Sequence, residues 1–319
     1  MEPMRAIRQH TFGPPDVLQI EELPDPEPAA GQLRIAVEAA GVHRLDTSIR
    51  AGLGLSTTPL PELPMVPGRE VAGLVDRVGD GVDDSWRGRR VVAHLGAGAS
   101  GGYAELVLVD SARAYEVPEG LDARTAVAAI GTGRTAAGVL DHARITADDV
   151  VVVTSAAGGM GSLLLQGARN AGARTVGLAG GAKLDVVRRF GAHTVIDYRT
   201  PGWAAELRAA EPRLTLLLDG VGGETARTLH GMLEPGGRMV RFSGDQDGYD
   251  APDRPILDVL GPAIVSRLAE FEKDALAAAA AGSRVPHVGS VFALADAAEA
   301  HRALEARASV GKVVLVTER

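Results

Sequence analysis

The sequence lacks cysteine altogether. This excludes disulfides, catalysis by a thiol, and every zinc or iron–sulfur site that needs a cysteine ligand. Eight histidines are present, but no two of them have the four-residue spacing of a helical metal site. The sequence therefore offers no recognisable metal site.

Aromatic residues, positive charge and long apolar runs are also scarce. Aromatics make up 3% of the chain and its net charge is −8, whereas nucleic-acid binding needs a basic face with stacking rings. No stretch approaches the roughly 18 apolar residues of a membrane span, and the start lacks the apolar core of a signal peptide. We expect a cytoplasmic protein that binds neither nucleic acid nor membrane.

The remaining composition is that of a globular protein, with 45% hydrophobic and 23% charged residues. Its 319 residues suffice for about two domains. The first 120 or so residues are rich in Pro, Gly and short β-branched runs, which predict strands at QLRIAVEAAGV, EVAGLVDRVG, RRVVAHLG and YAELVLVD.

The pattern changes near Asp122, and from Val150 apolar strands alternate with helices. The predicted strands are VVVVT, TVGLA, TVIDY, LTLLLD and RMVRFSG. Such alternation is typical of an α/β domain, a parallel sheet covered by helices on both faces. The tail GKVVLVTER ends in another strand, and the pattern alone does not assign it to either domain.

Residues 150–166 read VVVVTSAAGGMGSLLLQ, a strand, a cluster of small residues and a helix. This order lets free N–H groups and the positive end of the helix meet a phosphate. Ala156, Gly158 and Gly161 occupy the three positions of the G-x-G-x-x-G spacing of dinucleotide-binding folds. The alternative is a glycine-rich turn without a ligand, but the strand, helix and second strand around the cluster favour a pyrophosphate cradle.

The residues that follow favour NADPH over NADH. Folds that bind NAD place an acidic residue about twenty residues after the glycines. Here no Asp or Glu lies between Gly161 and Asp185. Lys183, Tyr198 and Arg199 lie near the ends of the next two strands, and such groups suit the 2′-phosphate of NADPH. Alternatively, Lys183 is a solvated lysine at a helix start and the Tyr198 ring caps the sheet.

The chain resembles the medium-chain dehydrogenase/reductase superfamily, specifically its zinc-free quinone oxidoreductase (zeta-crystallin-like) branch. The resemblance covers nearly the whole chain. The matching segments, in order, are GPPDVLQIEELPDPEP, AAGVHRLDTSIRAG, VPGREVAGLVDRVGDGV, GGYAELVLVD, AAGGMG, KLDVVRRFGAHTVIDYR, LLLDGVGG, LEPGGRMVRFSG and AEAHRALEARASVGKVVL.

The resemblance implies a GroES-like, β-rich catalytic domain formed by residues 1–122 and 262–319. A Rossmann domain with a doubly wound parallel sheet, residues 123–261, would bind NADPH. Zinc-dependent relatives have a histidine ligand where this chain has Arg69, so the resemblance implies no metal. The cofactor-binding residues that it implies are Thr135, Gly158, Gly159, Met160, Gly161, Lys183, Tyr198, Val221, Phe242, Ser243, Gly244 and Lys312.

The chain departs from the family pattern at three places. His43 replaces an asparagine and Ser48 replaces an aromatic residue. The resemblance implies that the loop with His43 and Asp46 faces the nicotinamide, so these two residues are our candidates for orienting the substrate or relaying a proton. Alternatively, His43 is a surface histidine and Asp46, which matches a family position, only braces the loop. The segment around 245–270 is shorter than in the family, which leaves a homodimer as one option.

These observations favour an NADPH-dependent oxidoreductase whose small-molecule substrate is a conjugated carbonyl, either a quinone or an α,β-unsaturated carbonyl compound. One alternative is an enoyl reductase of a polyketide-type biosynthetic pathway. An alternative of another class is a non-catalytic NADPH-binding protein with a sensor or structural role.

Overall fold

The structure is a computed structural model, which describes residues 3–53, 60–96, 101–242, 253–258 and 262–318. The chain divides into two compact units. Unit 1 comprises Met1–Gly131 and His287–Arg319, and unit 2 comprises Thr132–Pro286.

The described residues contain fifteen strands, numbered in chain order. They are β1 Met4–Gln9, β2 Leu18–Leu23, β3 Gln32–Val42, β4 Glu70–Val78, β5 Arg90–His94, β6 Leu106–Asp110, β7 Ala114–Glu116, β8 Val150–Val153, β9 Arg174–Ala179, β10 Thr194–Asp197, β11 Leu216–Asp219, β12 Arg238–Arg241, β13 Ile256–Asp258, β14 Val288–Ala293 and β15 Lys312–Val316.

Ten α-helices lie in the same ranges. They are α1 Arg44–Arg50, α2 Ala123–Ala128, α3 Arg134–Ala143, α4 Gly159–Asn170, α5 Leu184–Arg189, α6 Trp203–Ala210, α7 Gly223–Met232, α8 Pro262–Val265, α9 Leu268–Ala280 and α10 Ala297–Glu305. No helix in the described part of the chain is long and apolar enough to cross a membrane.

Unit 1 is built on a mostly antiparallel sheet in the order β14-β15-β3-β4-β5-β7, with β6 paired to β3. Its core contains Ile7, Leu33, Val71 and Leu315, all fully buried. The C-terminal strand β15 pairs antiparallel with β3, from Val313 opposite Val42 to Val316 opposite Ala39. The C-terminal strand, which the pattern alone left unassigned and the resemblance placed with the N-terminal domain, therefore belongs to the sheet of unit 1.

Unit 2 contains a six-stranded parallel sheet in the order β10-β9-β8-β11-β12-β13. Counted from β8, this is the 3-2-1-4-5-6 order of a Rossmann fold. The predicted fold class is confirmed. The strand order reverses between β8 and β11, and in such sheets ligands bind outside the carboxyl ends of the strands at this switch point.

The junctions between the units differ from the predicted 122/123 and 261/262. They lie at 131/132 and 286/287, because α2 packs on β3, β4 and β5 of unit 1 while α9 packs along α3 of unit 2. Composition marks where helices begin. Which core buries each helix depends on the tertiary packing.

Candidate functional site

The glycine cluster after β8 has the geometry of a phosphate cradle. Gly158 caps α4 without a side-chain hydrogen bond to its first turn, so the positive end of the helix has no side-chain cap. A Cβ on Gly161 would lie 2.3 Å from the Ser155 carbonyl oxygen and 2.7 Å from the Ala156 Cα. Only glycine permits this close approach of helix and strand. Gly159 and Met160, in the first turn of the same helix, are half-buried.

A buried hydrogen-bond network joins the two strands at the switch point. Thr154, just after β8, donates to Asp219 at the end of β11, and the Gly220 N–H donates back to the Thr154 hydroxyl at 2.8 Å. Asp219 also accepts from the Val221 and Gly222 N–H groups at 3.3 and 2.9 Å. Burial raises the pKa of Asp219, while these donors oppose the increase. The network therefore fixes the backbone around Val221.

Phe242 lies against the same loop. Its ring covers Gly220, where a Cβ would come within 2.3 Å of Cε2. Val221 and Phe242, two predicted cofactor-binding residues, thus belong to one packed edge of the sheet. The predicted Ser243 and Gly244 lie outside the described residues.

Two cations lie together where the sequence predicts a 2′-phosphate. Lys183 ends the turn after β9, and burial together with the charge of Arg199 lowers its pKa. The Arg199 guanidinium covers Gly180, where a Cβ would lie 2.5 Å from Cζ. Asp197 lies beside them: its Oδ1 accepts from the Arg199 backbone N–H at 3.0 Å and lies 3.6 Å from Arg199 Nε. Two such cations beside the end of β9 favour an anion there.

Two further predicted residues have mainly structural surroundings. The half-buried ring of Tyr198 packs against a core cluster that includes Val152 and Ile196, which is the sheet-capping alternative. Thr135 lies half-buried in the first turn of α3, directly after a π-helical turn at Ala129–Gly133. Such turns are frequent at functional sites.

In unit 1, a buried ion cluster brings together His43, Glu70 and Lys312. His43 Nε2 lies 2.8 Å from Glu70 Oε1, and Lys312 Nζ lies 2.6 Å from the same oxygen. Neither contact meets the geometry of a hydrogen bond, and the atoms involved are buried. Burial alone would raise the pKa of Glu70, but the charges of His43 and Lys312 outweigh it and hold this pKa below its usual value. Glu70 is therefore ionised.

Asp46 is buried among three donors. Its carboxylate accepts from the His43 backbone N–H at 2.7 Å, from the Tyr103 hydroxyl at 3.2 Å and from Arg69 Nε at 3.3 Å. Burial and Asp46 raise the pKa of Tyr103, which keeps its hydroxyl protonated as a donor. The Tyr103 hydroxyl also contacts the buried His301, so Asp46 joins α1 to a polar network. These contacts are those of a bracing residue.

The position of Arg69 bears on the predicted absence of metal. Its guanidinium is nine-tenths buried and faces Asp46. Across the described ranges, no group of three or more His, Cys, Asp or Glu side chains is placed to hold a metal ion. Ser48, the other departure in α1, is half-buried with its hydroxyl 3.4 Å from the Arg44 carbonyl oxygen.

Comparisons with known proteins agree with this architecture. A family model described as "Alcohol dehydrogenase GroES-like domain" matches residues 29–119, and one described as "Zinc-binding dehydrogenase" matches residues 190–315. The quinone oxidoreductase of Sus scrofa is 32% identical, and the alignment covers 98% of this chain and 98% of that protein. The chain belongs to the medium-chain dehydrogenase/reductase superfamily.

Two other superfamily members are similar over their whole length. The 2-haloacrylate reductase of a Burkholderia species is 31% identical, with 97% of this chain and 98% of that protein covered. The crystal structure of Escherichia coli quinone oxidoreductase complexed with NADPH is 28% identical, with a TM-score of 0.85 and coverage of 98% of this chain and 99% of that one.

Sequence reasoning missed several residues of this superfamily member. Glu70 follows Arg69 in the segment VPGREVAGLVDRVGDGV, and its position after a glycine turn was the available signal. Asp219, the last residue of the strand LLLD, was also missed. Their importance depends on burial and on partners distant in the chain, which no local pattern contains.

Proposed function

We propose that the protein is a zinc-independent, NADPH-dependent oxidoreductase that reduces a conjugated carbonyl compound. The observation that carries this proposal is the fit of unit 2 to the cofactor. This Rossmann fold combines three features. The start of α4 has no side-chain cap, Gly161 is required by close backbone packing, and Lys183 and Arg199 form a pair of cations. Full-length similarity to quinone oxidoreductases supports the same reading.

In this proposal Gly158, Gly159, Met160 and Gly161 bind the pyrophosphate, and Lys183 with Arg199 binds the 2′-phosphate. Bound NADPH supplies a hydride from its nicotinamide. Of the remaining predicted residues, Thr135, Tyr198, Val221 and Phe242 would surround the rest of the cofactor, with Tyr198 acting mainly through packing. The predicted Lys312 is instead buried against Glu70.

The proposed acceptor follows from the residues that stand in the place of a metal site. Without cysteine, and with Arg69 bound to Asp46, the chain lacks the ligands of the family's zinc, which would polarise an isolated ketone. A conjugated acceptor needs less help, because hydride addition spreads the charge into an enolate. Hydrogen-bond donors and a proton source stabilise such a charge.

We propose that His43 supplies the proton and that Asp46, which accepts the His43 backbone N–H, positions His43. His43 is a fifth exposed and retains contact with a buried anion, whereas Asp46 is almost completely enclosed by its donors. Replacing His43 by alanine would slow enone reduction about 10²-fold if it is the general acid. A loss below about threefold with an unchanged pH profile would indicate protonation by solvent.

The experiment is NADPH oxidation by the purified protein against a panel of quinones, enones and α,β-unsaturated acids. We expect turnover with at least one conjugated acceptor, unaffected by EDTA, and none with a saturated ketone. Turnover that stops with EDTA and returns with zinc would contradict the zinc-independent part of the proposal. Near one zinc per chain by elemental analysis would contradict it as well.

The same panel separates the alternatives. An enoyl reductase of a polyketide-type pathway would prefer enoyl thioesters to quinones. Similarity to a 2-haloacrylate reductase makes small unsaturated acids a further acceptor class. A non-catalytic sensor or structural protein would bind NADPH and turn over none of them.

A further inference from the structure

The side-chain amide of Gln166 in α4 binds the connector, residues 281–286, through which the chain leaves unit 2. Gln166 accepts the Val285 N–H at 2.8 Å and donates to the Val285 carbonyl oxygen at 3.0 Å. Its Nε2 also donates to the Ser162 carbonyl oxygen at 3.1 Å, one turn earlier in the helix. A carboxylate only accepts and an ammonium group only donates, so a charged side chain could not make both contacts with Val285.

Further hydrogen bonds hold the same connector on unit 2. Asn170, one turn after Gln166 and on the same face of α4, donates to the Ser283 carbonyl oxygen at 2.6 Å. The Ser283 and Arg284 N–H groups both donate to the Ala278 carbonyl oxygen at the end of α9. The backbone is therefore bound to unit 2 as far as Val285.

Hydrogen bonds to unit 1 begin two residues later. The His287 carbonyl oxygen accepts the Lys312 N–H at 2.7 Å, and Val288 lies opposite Lys312 in the pairing of β14 with β15. Pro286 thus separates the last residue bound to unit 2 from the first bound to unit 1. The proline ring fixes φ and peptide bonds are planar, so few torsions at this junction can rotate. The residue before a proline is restricted as well.

We propose that Gln166 is a positioning residue that confines movement of the chain at this junction to Pro286. It fixes the connector to α4, whose start is assigned to the pyrophosphate of NADPH, while the next hydrogen bond along the chain is to Lys312. This inference rests on the proposed function, because the connector would preserve the placement of the hydride donor. A displacement of about 1 Å can slow catalysis roughly 10²-fold, so a loose connector should slow hydride transfer.

The first test measures the connector and needs no substrate. Gln166→Met keeps the length of the side chain but neither contact with Val285. Hydrogen exchange at the Val285 amide should then become about tenfold faster or more, and trypsin should cut the Arg284–Val285 bond faster. Arg169→Ala, which changes an exposed side chain of the same helix, should match the unmodified protein. An unchanged Val285 exchange rate in Gln166→Met would overturn the proposal.

Should Gln166→Met fail to fold, a second variant decides. Asn170 is exposed, so Asn170→Ala removes only its hydrogen bond to Ser283 and should leave the fold intact. It should accelerate exchange at Val285 by a smaller factor than Gln166→Met. A Val285 rate equal to that of the unmodified protein would then overturn the proposal.

The second test separates positioning from a general loss of structure. The rate constant of NADPH oxidation in single turnovers with a conjugated acceptor does not depend on the fraction of enzyme that is folded. In Gln166→Met it should fall about tenfold, while the Kd for NADPH hardly changes. An unchanged rate constant would overturn the positioning role. If the unmodified protein oxidises NADPH with no acceptor, the proposed function fails, and the exchange test still decides whether Gln166 holds the connector.

Discussion

Thr154 Oγ1 donates a 2.7 Å hydrogen bond to Asp219 Oδ1 and ties the carboxyl ends of β8 and β11 together. Both side chains are essentially inaccessible to solvent. The bond spans the point at which the strand order of the Rossmann sheet reverses, so the loops that the proposal assigns to the cofactor depend on it.

Replacing Thr154 by valine should destabilise unit 2. Valine has a similar shape but leaves the buried Asp219 without its side-chain donor and the Gly220 N–H without its acceptor. Such losses cost about 1–3 kcal/mol, and each kcal/mol lowers Tm by roughly 2–4 °C in a domain of this size. Calorimetry measures the change. The exposed Thr200→Val is the control, and equal Tm values for both variants would contradict the assignment.

The Gly161→Ala substitution should abolish NADPH binding and lower stability. The new Cβ would meet the Ser155 carbonyl oxygen at 2.3 Å and push α4 away from β8. Gly231→Ala in α7 is a matched control, because nothing lies within 4 Å of a Cβ there. That control should gain about 0.5–1 kcal/mol, since alanine favours a helix. Fluorescence titration showing wild-type NADPH affinity in Gly161→Ala would count against the cradle.

Lys183 and Arg199 should determine the preference for NADPH over NADH. A charge-assisted hydrogen bond contributes about 1.5–3 kcal/mol, so either alanine variant should weaken NADPH binding roughly 10- to 100-fold. NADH binding should hardly change, because it has no 2′-phosphate. The exposed Lys273→Ala in α9 serves as a control for general loss of positive charge. An unaltered ratio of the two Kd values in Lys183→Ala would show that the lysine has another role.

The buried His301 should make unit 1 sensitive to mild acid. Burial lowers the pKa of His301 to about 4 from an ordinary value of 6.5. Between these pH values His301 is protonated in the unfolded chain but neutral in the folded protein. The free energy of unfolding therefore falls as the pH falls below 6.5. The loss reaches about 2 kcal/mol at pH 5, at 1.36 kcal/mol per pH unit.

Melting curves at pH 7.5 and pH 5 test this expectation. A His301→Gln variant should lose part of the pH dependence, since glutamine does not titrate but can still contact the Tyr103 hydroxyl. His142→Gln in α3 should retain the dependence of the unmodified protein. If His301→Gln and the unmodified protein respond equally to acid, another group is responsible.

The sequence alone determined the fold class and much of the nucleotide-binding region. Alternating apolar strands and helices dictated a parallel sheet, because each strand must be buried on both faces. The small residues from Ala156 to Gly161 marked the cradle, since their effect is local: a strand, a turn and a helix that are consecutive in the chain. The sequence alone also excluded thiolate metal ligands, because it contains no cysteine.

Only the tertiary structure decided which distant groups meet. Glu70, His43 and Lys312 come from β4, the loop before α1, and β15, and antiparallel pairing of β15 with β3 brings the last of them to the others. The same packing encloses Asp46 with Tyr103 and Arg69, and assigns α2 to unit 1 and α9 to unit 2. Burial and charge pairing arise from the whole fold, so a side chain's local sequence cannot reveal whether it is an exposed acid, a brace or the anion of a buried cluster.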